Sequence, residues 1–138
     1  MGLLTPAEAH RLAAYLPEDY GFVAWDTETS IAVPDSVILE AMNKYTLYKV
    51  KLPKATDTNN QGIECEKSGD IDGAIRLYES NITPDAYVTR HPYDRLAVLY
   101  RKAKDYDNEI RVLTLAFERT GDTKYRERLT KAQQLKNL

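Results

Sequence analysis

The sequence predicts a mainly α protein: a short α-solenoid of antiparallel helical hairpins over residues 55–138, with a small α+β region over residues 1–54 packed on one end as a cap. Three observations carry this expectation. From about Thr58 the chain is self-similar at a constant offset of 35 residues, the period of helix-turn-helix repeats. Apolar residues there recur at i, i+3, i+4 and i+7, as on one face of a helix. An aspartate that can cap a helix stands at the same place in each unit, at Asp70 and Asp105.

The elements follow in order. Thr5, Pro6 and Glu8 form a capping box with proline at the first helical position, so a helix is expected over 6–16, stopped by Pro17. Gly21-Phe22-Val23-Ala24-Trp25 is short, aromatic and bounded by turn formers, which predicts a strand closed by Asp26. Ile31-Ala32-Val33 predicts a second strand. Pro34 and Asp35 open a helix over 35–47 with Ile38, Ala41, Met42 and Tyr45 on one face. Beyond it, Tyr48, Val50 and Leu52 alternate with Lys49 and Lys51, a strand periodicity. Pro53 to Gln61 is polar and reads as a linker running into a helix N-terminus. Helices are then expected over 59–68, ended by Gly69, over 71–82, over 92–103, over 106–119, ended by Gly121, and over 123–135. The last is the most polar, as a terminal helix of a stack should be.

At the offset of 35, Gly62 aligns with Ala97, Cys65 with Tyr100, Asp70 with Asp105, Ile71 with Tyr106, Ile75 with Ile110 and Tyr78 with Leu113. The segments Glu66–Tyr78 and Lys102–Ile110 resemble the tetratricopeptide repeat. Gly62 and Ala97 stand where that family packs its two helices together, Gly69-Asp70-Ile71 looks like its inter-helix turn, and Ala74 and Tyr78 match its small and aromatic positions. The second unit departs from the pattern, with Glu109 where Ala74 stands and Lys104 where Gly69 stands. The resemblance covers two units and a closing helix.

It implies a concave groove lined by the first helix of each unit. Asn59, Asn60, Ile63, Glu66 and Lys67 would face it from the first, and His91, Asp94, Arg95, Val98, Arg101 and Lys102 from the second. Asn59 and Asn60 beside His91, Arg95, Arg101 and Lys102 suit a peptide carboxylate or an acidic segment, since guanidinium groups grip carboxylates bidentately. The bland alternative is a solvated charged helix face.

Composition narrows the function classes. With 43% hydrophobic and 29% charged residues the chain has the balance of a folded globular protein. No apolar run reaches the roughly 18 residues of a membrane span, and the N-terminus carries neither a secretory pattern nor a myristoylation pattern. The single cysteine, Cys65, excludes an internal disulfide and, with two histidines, makes a four-ligand zinc site improbable. A cytoplasmic location and no cofactor are expected. Residues 1–54 carry five basic and seven acidic groups and residues 55–138 fourteen of each, so no excess of positive charge marks a nucleic-acid binder. The basic C-terminal segment, from Arg119 to Lys136, is offset by Glu118, Asp122 and Glu127. Ten tyrosines against two phenylalanines supply rings with polar tips, which pack helices and also anchor interfaces.

One motif points to chemistry. Phe22–Thr29, an apolar run ending in Asp-x-Glu-Thr, resembles the first motif of the DEDD 3′–5′ exonucleases, whose carboxylates hold two divalent metal ions. A strand would put Asp26 and Glu28 on one face. Two further carboxylates and a general base are needed, and the chain after Glu28 leaves no room for that fold's five-stranded sheet. The favoured expectation is therefore a non-catalytic adaptor or regulator binding a protein or peptide, with a metal-dependent nuclease or its remnant as the second class. The third is a self-assembling protein, pairing through an open helix-stack end near Leu129 and Leu135.

Overall fold

The computed structural model describes residues 1–138, and the chain is mainly helical. It divides into two compact units, Met1–Pro53 and Lys54–Leu138, each with its own core.

In the first unit a two-stranded antiparallel sheet pairs β1 (Gly2–Leu4) with β2 (Ile31–Val33), in the register Gly2 to Val33 and Leu4 to Ile31. The alternation buries Leu4 and Val33. The capping box forms as expected. The Thr5 hydroxyl accepts from the Glu8 amide, and the Glu8 carboxylate accepts from the Thr5 amide. Helix α1 (Pro6–Leu12) ends earlier than expected, tightening into a 3-10 turn at Ala13–Tyr15.

The strand expected at Gly21–Trp25 is instead a helix, α2 (Glu18–Ala24), with Pro17 at its N-cap and Glu18 and Asp19 in the first turn, where the helix dipole favours acids. Its buried residues are Gly21 and Ala24, three apart. Phe22, Val23 and Trp25 are 81%, 50% and 63% exposed. The helix lies close on the preceding turn: a Cβ at Gly21 would stand 2.8 Å from the Ala13 carbonyl oxygen. The small residues, not the large ones, face the core, and that inverts the pattern from which the strand was inferred.

Helix α3 (Asp35–Tyr45) is followed by a π-helical turn at Thr46–Lys51 and then by α4 (Leu52–Ser68). Neither the strand periodicity at 48–52 nor the linker at 53–61 corresponds to the structure, because both stretches are helical. Pro53 has no N–H for a carbonyl four residues back. The turn before it widens, and the Leu52 amide bonds to the Leu47 carbonyl five residues earlier. Tyr48 and Val50 are about half exposed, so their alternation does not mark a buried face.

The second unit continues with α5 (Ile71–Ser80), α6 (Arg90–Lys102), α7 (Tyr106–Thr120) and α8 (Thr123–Lys136). The α4–α5 and α6–α7 turns close in the same way. Gly69 and Lys104 both take a positive φ, 83° and 58°. The Asp70 amide donates to the Cys65 carbonyl at 2.8 Å, and the Asp105 amide to the Tyr100 carbonyl at 2.9 Å, a closure typical of helix C-termini. Each aspartate then caps the next helix, Asp70 accepting from the Gly73 amide and Asp105 from the Asn108 amide. Gly121, at φ 69°, ends α7, and Asp122 caps α8. The core of this unit gathers Ala74, Tyr78, Leu96, Ala97, Leu113 and Ala116, closed by Tyr125 and Ala132 of α8.

Candidate functional site

The expected groove residues lie on α4 and α6, and their surroundings separate them into two groups. Around the α4–α5 hairpin they are tied to the protein itself. Asn59 is only 8% exposed. Its carbonyl accepts from Asn81 Nδ2 at 2.8 Å and its amide donates to Thr89 Oγ1 at 3.2 Å, while Asn81 also donates to the Ala55 carbonyl. Asn59 is thus a buried polar clasp, not a groove residue. Burial is affordable because each amide end has a partner. Asn60 and Lys67 are exposed and Ile63 is half-buried.

Arg95 likewise serves an internal carboxylate. It donates to Glu66 through Nε at 3.1 Å and through a terminal nitrogen at 2.5 Å, the bidentate geometry expected of a partner's carboxylate. The Tyr78 hydroxyl adds a third donor to Glu66 at 2.7 Å. The Arg95 guanidinium, helped by that hydroxyl, holds the Glu66 carboxyl below the usual carboxylate range. Burial and the neighbouring Glu66 push the Tyr78 phenol up. His91 stands edge-on to the Tyr78 ring, 5.4 Å between centroids. Its Nε2 is buried without a hydrogen-bond partner. Gly62 makes this arrangement possible. A Cβ there would lie 2.4 Å from the Tyr78 ring, so only glycine lets the ring reach α4.

Around the α6–α7 hairpin the corresponding space is open. A cavity of about 260 Å³ is walled by Ala97, Val98, Arg101 and Lys102 of α6, by Glu109 and Leu113 of α7, and by Arg128 of α8. Three expected groove residues, Val98, Arg101 and Lys102, meet here. Glu109, Leu113 and Arg128 were not among the expected site residues. The sequence did hold a signal for Glu109, as the charged residue standing 35 positions after the small Ala74.

Glu109 is 1% exposed. Its Oε2 accepts from Arg101 Nε at 2.6 Å, and its Oε1 has no partner. A buried carboxylate with one unsatisfied oxygen is costly, and such groups in folded proteins call for a reason. Arg128 pairs with Asp94 at 3.0 Å, and Lys102 is exposed at the rim. The wall is thus apolar at the sides, acidic at one point and cationic around the mouth.

A second tyrosine–glutamate–arginine triad, after Tyr78–Glu66–Arg95, joins α5, α6 and α7. Tyr100 donates to Glu79 at 2.6 Å, and Arg111 donates to the same carboxylate. Arg119 donates to the Ile82 carbonyl and to the Tyr93 hydroxyl. Leu129 packs against the core, and Leu135 is half-buried.

In the first unit Asp26 and Glu28 are exposed and follow α2, not a strand. The extended segment that would have put them on one face is absent. The turn is held by the Thr27 hydroxyl, which donates to the Thr29 carbonyl and accepts from the Thr29 amide, and by His10 Nε2, 2.9 Å from the Thr27 carbonyl. No group of three or more His, Cys, Asp or Glu side chains is gathered as metal ligands would be. No helix is long and apolar enough to cross a membrane. Comparison with protein-family models, with curated proteins and with solved structures gives no match.

Proposed function

We propose that residues 54–138 form a tetratricopeptide-like helical-repeat module that binds a protein or peptide, without catalysis, as a cytoplasmic adaptor or regulator. The observation that carries this reading is the cavity on the α6–α7 hairpin. It is concave and apolar-walled, carries a few converging polar groups, and lies on the helix that the repeat resemblance assigns to the groove. The twofold repetition of the Gly69-Asp70 and Lys104-Asp105 turns supports the repeat assignment. Arg101, Lys102 and Arg128 around the mouth favour a partner with acidic residues flanking whatever enters it.

Arg95 and Arg101 hold internal carboxylates, so substituting them would loosen the helices as well as any interface. Val98 and Lys102 are the sounder probes. The test is capture of interacting proteins from host-cell lysate by the tagged chain, beside its Val98→Asp and Lys102→Glu variants. Retention of a partner by the parent, with loss from both variants at unchanged circular dichroism and melting, is the expected result. A partner kept equally by both variants would move the interface off this cavity. A homogeneous oligomer in light scattering, with no partner retained, would favour self-assembly over an adaptor.

A further inference from the structure

We propose that the groove beside α2 binds a basic segment of a partner protein, with an arginine guanidinium laid against the rings of Phe22 and Trp25 and paired with Glu18. This surface belongs to the unit Met1–Pro53 and does not depend on the cavity of the α6–α7 hairpin. Glu18, Gly21, Phe22 and Trp25 fall at i, i+3, i+4 and i+7, along one face of a helix. Trp25 keeps the helical conformation at the C-cap, its amide donating to the Gly21 carbonyl. Ala13 and Leu16, from the turn before α2, complete a shallow groove of about 290 Å³. Phe22 and Trp25 stand along it largely in water. Contiguous exposed aromatic surface rimmed by polar groups marks an interaction site.

The charge around the rings decides the occupant. Between Arg11 and Lys44 the sequence holds six acids, Glu18, Asp19, Asp26, Glu28, Asp35 and Glu40, and no base. Of these only Glu40 has a cationic partner, Lys44. His10 lies on the Thr27 carbonyl, and Arg11 lines a separate groove with Met42 and Tyr45. The four acids nearest the rings in sequence, Glu18, Asp19, Asp26 and Glu28, are all exposed. A purely apolar occupant would cover the Glu18 carboxylate with nothing to pair it, at a desolvation cost. An anionic surface would be repelled. A guanidinium answers both features. Its plane stacks on aromatic faces, whose quadrupole attracts cations, and its N–H fork fits a carboxylate. A lysine ammonium is a strongly hydrated point charge and gains less from the rings.

The chain has one tryptophan, so its emission reports on Trp25 directly. The full chain is titrated with hexa-arginine amide, hexalysine amide and hexaglutamate, and amide shifts in ¹⁵N-labelled protein locate each response. Expected with hexa-arginine are a saturable change in Trp25 emission and amide shifts centred on Gly21, Phe22 and Trp25. Hexalysine should bind more weakly at equal charge, and hexaglutamate should not bind. Phe22→Ala should weaken hexa-arginine binding about threefold, the size of a cation–π contact at an exposed site. Glu18→Gln should weaken it about twofold, as for an exposed ion pair. Both side chains are exposed, so both variants should melt with the parent. An unresponsive Trp25, hexalysine bound as tightly as hexa-arginine, or parental affinity in both variants would each overturn the proposal. Should Phe22→Ala not fold, Glu18→Gln and the lysine comparison decide. The exposed Lys124 and Lys131 of α8 offer a basic segment within the chain itself. Trp25 emission that changes with protein concentration alone, and no longer does so in Lys124→Glu with Lys131→Glu, would make the occupant a second copy and overturn the proposal.

Discussion

In the α4–α5 hairpin a glycine at 62 admits the ring of Tyr78, and Glu66 is satisfied three times over by Arg95 and Tyr78. In the α6–α7 hairpin an alanine at 97 stands with Leu113, and Glu109 is satisfied on one oxygen only. The turns of the two are near copies, down to the aspartate caps and the positive φ. The difference shows that a repeated frame sets where side chains go and leaves open whether they fill the space. The carboxylate of one hairpin is fully satisfied within the chain, and that of the other keeps one oxygen without a partner. The same comparison explains how a charged residue stands at 109 where the first hairpin has Ala74. A glutamate is tolerated there because Arg101, at the position equivalent to Glu66, supplies its counter-charge.

The largest effect should come from forcing the second hairpin's chemistry onto the first. Ala74→Glu places a carboxylate at a site that is 0% exposed, where the residue equivalent to Arg101 is itself acidic. An unpaired buried charge of this kind costs about 3–5 kcal/mol. Urea unfolding should show the loss in its midpoint. A midpoint within error of the parent would mean that the two hairpins are not equivalent at 74 and 109.

Next in size is the Glu66 cluster. Its carboxyl is held low in the folded chain by Arg95 and Tyr78. The resulting stabilisation is therefore complete above the ordinary glutamate pKa of about 4.3 and is lost as pH falls below it, through the depressed folded value. Glu66→Gln should cost about 1–2 kcal/mol at pH 7, in the range of hydrogen bonds to charged groups, and much less near pH 3. Parallel stability–pH curves for parent and variant would show that the triad contributes nothing.

The smallest effect concerns the turns. Lys104 holds φ 58° where Gly69 holds 83°. A non-glycine residue in the left-handed region costs about 1 kcal/mol, part of which glycine returns through the entropy of the unfolded chain. Lys104→Gly should thus stabilise by about 0.5 kcal/mol, with Gly69→Lys destabilising by a similar or larger amount. Thermal melts of the two variants moving in the same direction would contradict the equivalence of the turns.

Local chemistry made much of the mainly helical architecture legible in the sequence. The Thr5–Glu8 capping box, the Asp70 and Asp105 caps and the Gly69 and Gly121 stops act within four residues, and each is found where the sequence places it. The equivalence of Glu109 with Ala74 was likewise visible as an offset of 35. Contacts between separate elements decided the rest. Five residues at 21–25 are too few to fix a period, and the helix there lays Gly21 close against Ala13. Strand β1 exists only because residues about thirty positions away pair with it. Asn59, Arg95 and Arg101 read as groove residues by register, but their partners Asn81, Glu66 and Glu109 come from other helices. Helix caps and turns are short-range and are encoded locally. Which polar side chain is already satisfied, and where a cavity remains, depends on how separate helices fill shared space, and only the tertiary structure decides that.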